Sequence, residues 1–267
     1  MLKSSKTQVR PVNFTFDVRV GNFSFMQTML FLERVLAYLQ GKGYGAATID
    51  REVSHALELL GSIPRTVLDV GANNGLWTKQ LLSHYPEVVV HVFEPQPLCY
   101  SRLLQMYAGR PNVHIYNNAV SNAAGVRSLY FDREGSGLAS LSRRKLDHLG
   151  IQFSESIEVN AVVLDEFLSA NDVFELDIVK FDIEGHEFAA FEGMAKTLSG
   201  PRPPKVIQFE FGGCNIDTRT FFRDFYLLFS DFYDIYRQTP FGLLRIDRYM
   251  EADECFRTTN YFLRLKV

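Results

Sequence analysis

Three cysteines are too few, and too far apart, to staple this chain. Cys99, Cys214 and Cys255 form no metal-ligand pair at short spacing, and their odd number fits a reducing, cytoplasmic compartment. Tryptophan is nearly missing, with one residue against 23 Phe and 12 Tyr. No apolar run approaches the length of a membrane span, so no transmembrane segment is expected. The opening MLKSSKTQVR lacks the apolar stretch of a secretory leader. An excess of positive charge is missing too. The chain has 28 Lys and Arg against 31 Asp and Glu, a formal charge of -3. No nucleic-acid partner is expected, because such partners call for a basic face. There is no internal repeat and no low-complexity segment.

What is present is ordinary globular material. Of 267 residues, 46% are hydrophobic and 22% charged, enough for a sizeable core. Residues 1–21 mix polar and β-prone side chains without a period. Residues 22–40 carry Met26, Leu30, Leu32, Val35, Leu36 and Leu39 at helical spacing, and residues 48–61 read as a second helix stopped by Gly61. Residues 1–61 are therefore expected to form a partly helical N-terminal extension, whose apolar helix would favour a homodimer. From Thr66 onward short strands alternate with helices. Strands are expected at 66–70, 88–93, 113–116, 176–182 and in KVIQFEFGG. Helices are expected near 76–84, 98–108, 187–198 and 218–230. Extended pieces follow at 126–131 and 156–162, and terminal strands at 232–237 and 260–266, with a loop around Arg245, Asp247 and Arg248 between those last two. This alternation predicts a mostly parallel sheet covered on both faces.

The segment VLDVGANNGLWT is the most informative. Asp69 ends the first strand, Gly71 and Gly75 flank a tight turn, and the following helix start offers unpaired N–H groups. Glu94 ends the second strand, where a carboxylate can accept both hydroxyls of a ribose. The turn reads G-A-N-N-G rather than G-x-G-x-x-G, which argues against a dinucleotide oxidoreductase.

In order, VLDVGANNG, VFEP, NNAVSN and VKFDIEGHE resemble a class I S-adenosylmethionine-dependent methyltransferase, and more narrowly the FkbM family. DIEGHE after the KFD strand, the later QFEFGG strand and the terminal NYFLRLK carry the narrower likeness, over residues 60–265. The resemblance implies an α/β, Rossmann-like fold for residues 62–267: a seven-stranded, mostly parallel sheet with a reversed last strand and helices on both faces. It implies S-adenosyl-L-methionine across the carboxyl ends of the first strands. Asp69 and Gly71 would then lie beside its methionine and ribose part, with Asn73, Asn74 and Gly75 in the turn. Glu94 would hold the ribose hydroxyls, and Asn118 would sit near the adenine, with Ser121 the weaker choice.

Methyl transfer to a hydroxyl needs alignment and a group to receive the acceptor proton. Asp182, Glu184, His186 and Glu187 cluster where a strand meets a helix, the ligand side of an open α/β sheet. Gly185 lets backbone approach a ligand. Glu210 adds a carboxylate near the end of IQFEFGG, with Phe209 and Phe211 facing the other way. Asp182, Glu184, His186 and Glu210 are the candidate catalytic groups, and Glu187 is a candidate helix cap. The same four could hold a divalent metal, which the spacing does not fix. The loop GSGLASLSRRKLDHLG could act as a lid. Its Arg143-Arg144-Lys145 run reads as a solvated face, or as an attractor of a phosphorylated or acidic acceptor. These residues point to O-methylation of a small-molecule or glycan acceptor. N-methylation, protein methylation and a non-catalytic cofactor-binding protein are the alternatives.

Overall fold

The computed structural model describes residues 23–266, so the reading of residues 1–21 lies outside the described residues. The chain divides into two compact units, Met1–Leu36 and Ala37–Val267. Helix α1 (Phe23–Leu39) begins in the first; its Phe25, Phe31 and Leu36 are exposed.

The second unit holds α2 (Ile49–Leu60), β1 (Thr66–Val70), α3 (Leu76–His84), β2 (Val89–Phe93), α4 (Pro97–Met106) and β3 (Val113–Tyr116). Next come β4 (Ala119–Val120), β5 (Gly125–Phe131), β6 (Glu155–Val162), α5 (Leu164–Ala170), β7 (Ile178–Phe181), α6 (Glu187–Glu192) and α7 (Ala195–Ser199). The chain closes with β8 (Val206–Phe211), α8 (Cys214–Thr218), α9 (Phe222–Phe229), β9 (Tyr233–Thr239), β10 (Gly242–Ile246) and β11 (Thr259–Leu265).

The main sheet has the order β10-β9-β11-β8-β7-β1-β2-β3. Strands β8, β7, β1, β2 and β3 run parallel, and β11 inserts antiparallel between β8 and β9. This is the expected α/β, Rossmann-like architecture with its reversed last strand. It has eight strands rather than seven. The segment around Arg245, read as a loop, folds back on β9 as a hairpin; Gly242, at φ 129, makes that reversal. A separate sheet, β4-β6-β5, carries the two extended pieces.

Two other expected elements differ. The helix at 187–198 breaks into α6 and α7 at Gly193, where a Cβ would overlap the carbonyl oxygen of Ser121. The helix expected at 218–230 is shortened to α9, with α8 before it ended by Arg219 in the left-handed region at φ 58.

Alternation along the parallel strands sorts the core into two faces. Leu68, Val70, Phe181, Phe209 and Phe211 join one cluster, with Phe222, Phe225 and Phe229 of α9 packed against it. Val67, Val90, Ile178 and Phe262 join the other, with Val53 of α2 and Trp77 and Leu81 of α3. On this second face, polar side chains also form a chain across the sheet. Trp77 Nε1 donates to Gln208 Oε1 (3.0 Å), and Gln208 Nε2 donates to Glu52 Oε2 (2.8 Å). That network ties α2 and α3 to β8 and gives the buried Trp77, Gln208 and Glu52 partners in one another.

Candidate active site

The carboxyl ends of β1, β2, β7 and β8 open on one cleft. Its cavity measures about 180 Å³ and is bordered by Gly71, Glu94, Asn118, Asp182, Glu184 and Glu210, with Asn73 and His186 also on its wall. Parallel strands end together, so a turn after each one faces the same ligand.

The β1 turn is built for close approach. Gly71 has φ 81, and a Cβ there would overlap the Asp182 carbonyl oxygen, so only glycine lets the two turns meet. Glu94 is 3% exposed. Its Oε2 accepts the Asn73 amide (2.7 Å) and its Oε1 accepts the Gln96 amide (2.8 Å). Burial raises its carboxyl to about 7, against the lowering pull of those two amides and Lys180. Each oxygen has acceptor capacity beyond its one amide. A carboxylate so fixed, at the end of the second strand, fits a ribose diol.

Other expected cofactor residues have different employment. Asp69 is wholly buried; its carboxylate accepts from Thr78 Oγ1 (2.6 Å) and Lys180 Nζ (3.1 Å) and does not border the cleft. Asn74 borders the neighbouring cavity toward α2 rather than this one and accepts a hydrogen bond from Arg102 (3.4 Å). Gly75, at φ 70, caps α3 and gives its carbonyl to the Tyr107 hydroxyl. The Asn73 side chain donates to the Ser136 carbonyl (3.1 Å), as does the Gln96 amide side chain (2.9 Å). Asn118 borders the cleft, and its neighbour Asn117 ties β3 to the Glu94 and Pro95 carbonyls.

On the β7 side, Asp182 has 42% of its side chain exposed and lies 3.6 Å from Lys180. Glu184 adopts the left-handed region at φ 56, a strained conformation for a side-chain-bearing residue. Its carboxylate pairs with Arg144, with 13% and 8% of the two side chains exposed. Its carbonyl accepts from Ser140 Oγ (2.9 Å). Burial and then Asp182 raise Glu184 to about 8, while Arg144 pulls it down. Glu210 comes in from β8. Burial, then Glu184 and Asp182, hold it well above the ordinary carboxylate range. Both groups are therefore stronger bases than a solvated carboxylate.

His186 stands apart. Its Nε2 meets Ser121 Oγ at 3.0 Å, and burial, then Arg127, lower it to about 4. It is a neutral imidazole at physiological pH, anchoring the loop to β4. Glu187 reaches back to the Ile183 amide (2.9 Å), clamping the DIEGHE turn. Of the four residues offered for a divalent ion, Glu184 and Glu210 come within 4.8 Å of each other. Their third neighbour is Cys214 Sγ rather than His186 or Asp182. Burial pushes that thiol far up, so it stays protonated, and two carboxylates plus a thiol do not match the oxygen-rich set of Mg²⁺.

The family model for the methyltransferase FkbM domain matches residues 69–237, from Asp69 to Arg237. The chain belongs to the FkbM methyltransferase family. It is an S-adenosylmethionine-dependent methyltransferase. Among curated relatives, 2-O-methyltransferase NoeI of Sinorhizobium fredii is 23% identical over 182 residues, covering 64% of this chain and 73% of that protein. The 31-O-demethyl-FK506 methyltransferase FkbM of Streptomyces tacrolimicus is 28% identical over 166 residues, 53% of this chain and 63% of that one. Among solved structures, an O-methyltransferase from Bacillus cereus aligns with TM-score 0.45 and 16% identity over 94% of each chain.

Two residues of this FkbM-family chain hold the acids around the cleft through pairings that local sequence reasoning does not show. Lys180, 3% exposed, sits in register with Asp69 across β1 and β7 and donates to both Asp69 and the Gly71 carbonyl (3.0 Å). Burial pushes its ammonium down, but Asp69 and Asp182 outweigh that and hold it above its ordinary value. A lysine inside the apolar strand IVKF was a readable signal, since a buried charge demands a partner. Arg144 escaped because its partner lies 40 positions away.

Proposed function

We propose that this protein transfers a methyl group from S-adenosyl-L-methionine to a hydroxyl of a sugar, glycolipid or small natural-product acceptor. The observation that carries this reading is the facing pair of enclosed carboxylates, Glu184 and Glu210, on the same cleft as Glu94 and Gly71. The O-methyltransferase names of two relatives support it.

When bound, the cofactor supplies a methyl group on a sulfonium, whose C–S bond breaks with its electron pair left on sulfur. Glu94 would accept the ribose hydroxyls, and Gly71 would lie against the amino-acid portion. A second cavity, about 220 Å³, shares Gly71, Asn73 and Asp182 with the first and extends the cleft toward α2. Glu184 and Glu210 would receive the acceptor proton as its oxygen bonds to the methyl carbon. A carboxylate near 8 suits this work better than one near 4.5, because a general base acts best when matched to the operating pH. Arg144 would keep Glu184 in place, Asp182 would orient the acceptor, and the pinned Ser136–Ser140 segment would limit water.

The test pairs calorimetric S-adenosylhomocysteine binding with methyl transfer to a panel of sugars and polyols and, separately, amines. Tight binding with hydroxyl methylation, lost in Glu210→Gln, is expected. Methylation of amines alone would overturn the O-transfer reading.

A further inference from the structure

Past Ser142 the loop between β5 and β6 leaves the cleft and forms the wall of a separate cavity of about 490 Å³. Arg143, Arg144 and Lys145 border it, and so do Leu146, Ile151 and Phe153, two of which, Leu146 and Phe153, are buried. The Arg143 and Lys145 side chains make no hydrogen bond or ion pair among the described residues, and only their backbone is engaged, the Lys145 amide donating to Asp217 (3.1 Å). Arg144 borders this cavity and is joined to the cleft through Glu184. One terminal nitrogen pairs with Glu184 in the cleft. Its Nε is buried with no hydrogen-bond partner, on a side chain only 8% exposed. Buried guanidinium N–H groups are ordinarily satisfied, and this one is not. The one carboxylate bordering the cavity is Asp147; Asp217 lies beside the Lys145 amide.

We propose that this basic cavity binds a phosphate group carried by the acceptor. The inference rests on the reading that the methylated hydroxyl meets Glu184. Two guanidinium groups and an ammonium present charge-assisted donors suited to a phosphate oxyanion. The apolar wall of Leu146, Ile151 and Phe153 suits a hydrocarbon portion next to it. Arg144 links the two cavities, since it borders this one and pairs with Glu184 on the cleft wall. The near-neutral charge of the whole chain is no obstacle, since one phosphate needs only a local site.

The experiment titrates the full chain with inorganic phosphate, with and without S-adenosylhomocysteine, by calorimetry at constant ionic strength. The comparison variant is Arg143→Gln/Lys145→Gln, which leaves Arg144 and every cleft residue in place. Saturable phosphate binding, weakened at least tenfold in the double variant while S-adenosylhomocysteine affinity is unchanged, is expected. No saturable binding to the unaltered chain, or equal binding to both proteins, overturns the proposal. Sedimentation with phosphatidic acid vesicles, reduced in the double variant, assigns the phosphate to a lipid headgroup. Phosphate binding without sedimentation assigns it to a soluble phosphomonoester. Either result supports the site. Failure of S-adenosylhomocysteine to bind, with phosphate binding intact and sensitive to the double variant, sinks the methyl-transfer reading and leaves the phosphate site standing.

Discussion

Replacing Lys180 with Met tests whether the cleft floor is organised around one buried cation. The ammonium donates to Asp69 Oδ1 at 3.1 Å and to the Gly71 carbonyl at 3.0 Å, and it lies 3.6 Å from Asp182. Methionine keeps the length and removes the charge. Asp69 is then left wholly buried, with only the Thr78 hydroxyl for company. Removing one partner of a buried ion pair costs about 3–5 kcal/mol. For a chain of this size each kcal/mol moves the melting temperature by roughly 2–4 °C, so a fall of roughly 6–20 °C is expected. Differential scanning calorimetry reads it. The pH dependence supplies a second check. Lys180 is held above its ordinary value of 10.5, so its stabilisation is fully present below 10.5 and is lost only as pH rises through the higher folded value. The lysine's own share of the Lys180→Met deficit should therefore not fade between pH 6 and 9, while Glu94, no longer pulled down by the ammonium, makes the deficit grow as pH rises through about 7. Adding Asp69→Asn should recover about 1–3 kcal/mol through the coupling of the two sites. A melting temperature lowered by less than about 2 °C, or a double variant whose losses simply add, refutes the argument.

Further outcomes are expected elsewhere in the cleft. S-Adenosylhomocysteine affinity should weaken as pH falls through about 7, because protonating Glu94 removes acceptor capacity from the ribose site; Glu94→Gln should bind weakly with a flattened pH profile, read by calorimetry. Under the proposed reaction, the rate should rise with pH through about 8 as Glu184 ionises, and Glu210→Gln should lower kcat by about 10²–10⁴ with little change in cofactor affinity. Glu187 is wholly buried and raised to about 7, so its contribution to stability is present below the ordinary value of 4.5 and is lost as pH rises to 7; Glu187→Gln should flatten that part of the melting-temperature profile. Phe209→Ala should cost about 3–5 kcal/mol in denaturant unfolding, since the ring is fully buried and stacks on Phe225 and Tyr261.

Much of this was legible from local spacing. Gly71, Glu94 and the Asp182–Glu187 turn each follow a strand, and the period of the apolar residues fixed where those strands end. The alternation in IQFEFGG separated Glu210 from Phe209 and Phe211 before any packing was known. The sequence was less informative where a side chain's partner is far away in the chain. Asp69, expected beside the cofactor, is instead consumed by Lys180, 111 positions on. The Arg143-Arg144-Lys145 run looked uniform, yet its middle member turns inward to Glu184 while the outer two stay exposed. The tenth strand, GLLRI, is short and lies at the sheet edge, so its pairing with β9 alone carried no period long enough to read.

The sequence by itself therefore determined the order of strands and helices, the ligand-binding edge of the sheet and the acids at that edge, because these depend on periodicity and turn chemistry within a dozen residues. Only the tertiary structure decided which acids are neutralised and which remain as raised-pKa bases. Burial and charge pairing are sums over neighbours that the fold gathers from distant strands. The same gathering gave the few cysteines their meaning: Cys214 is an inert, protonated thiol between two carboxylates, placed there by the turn after β8.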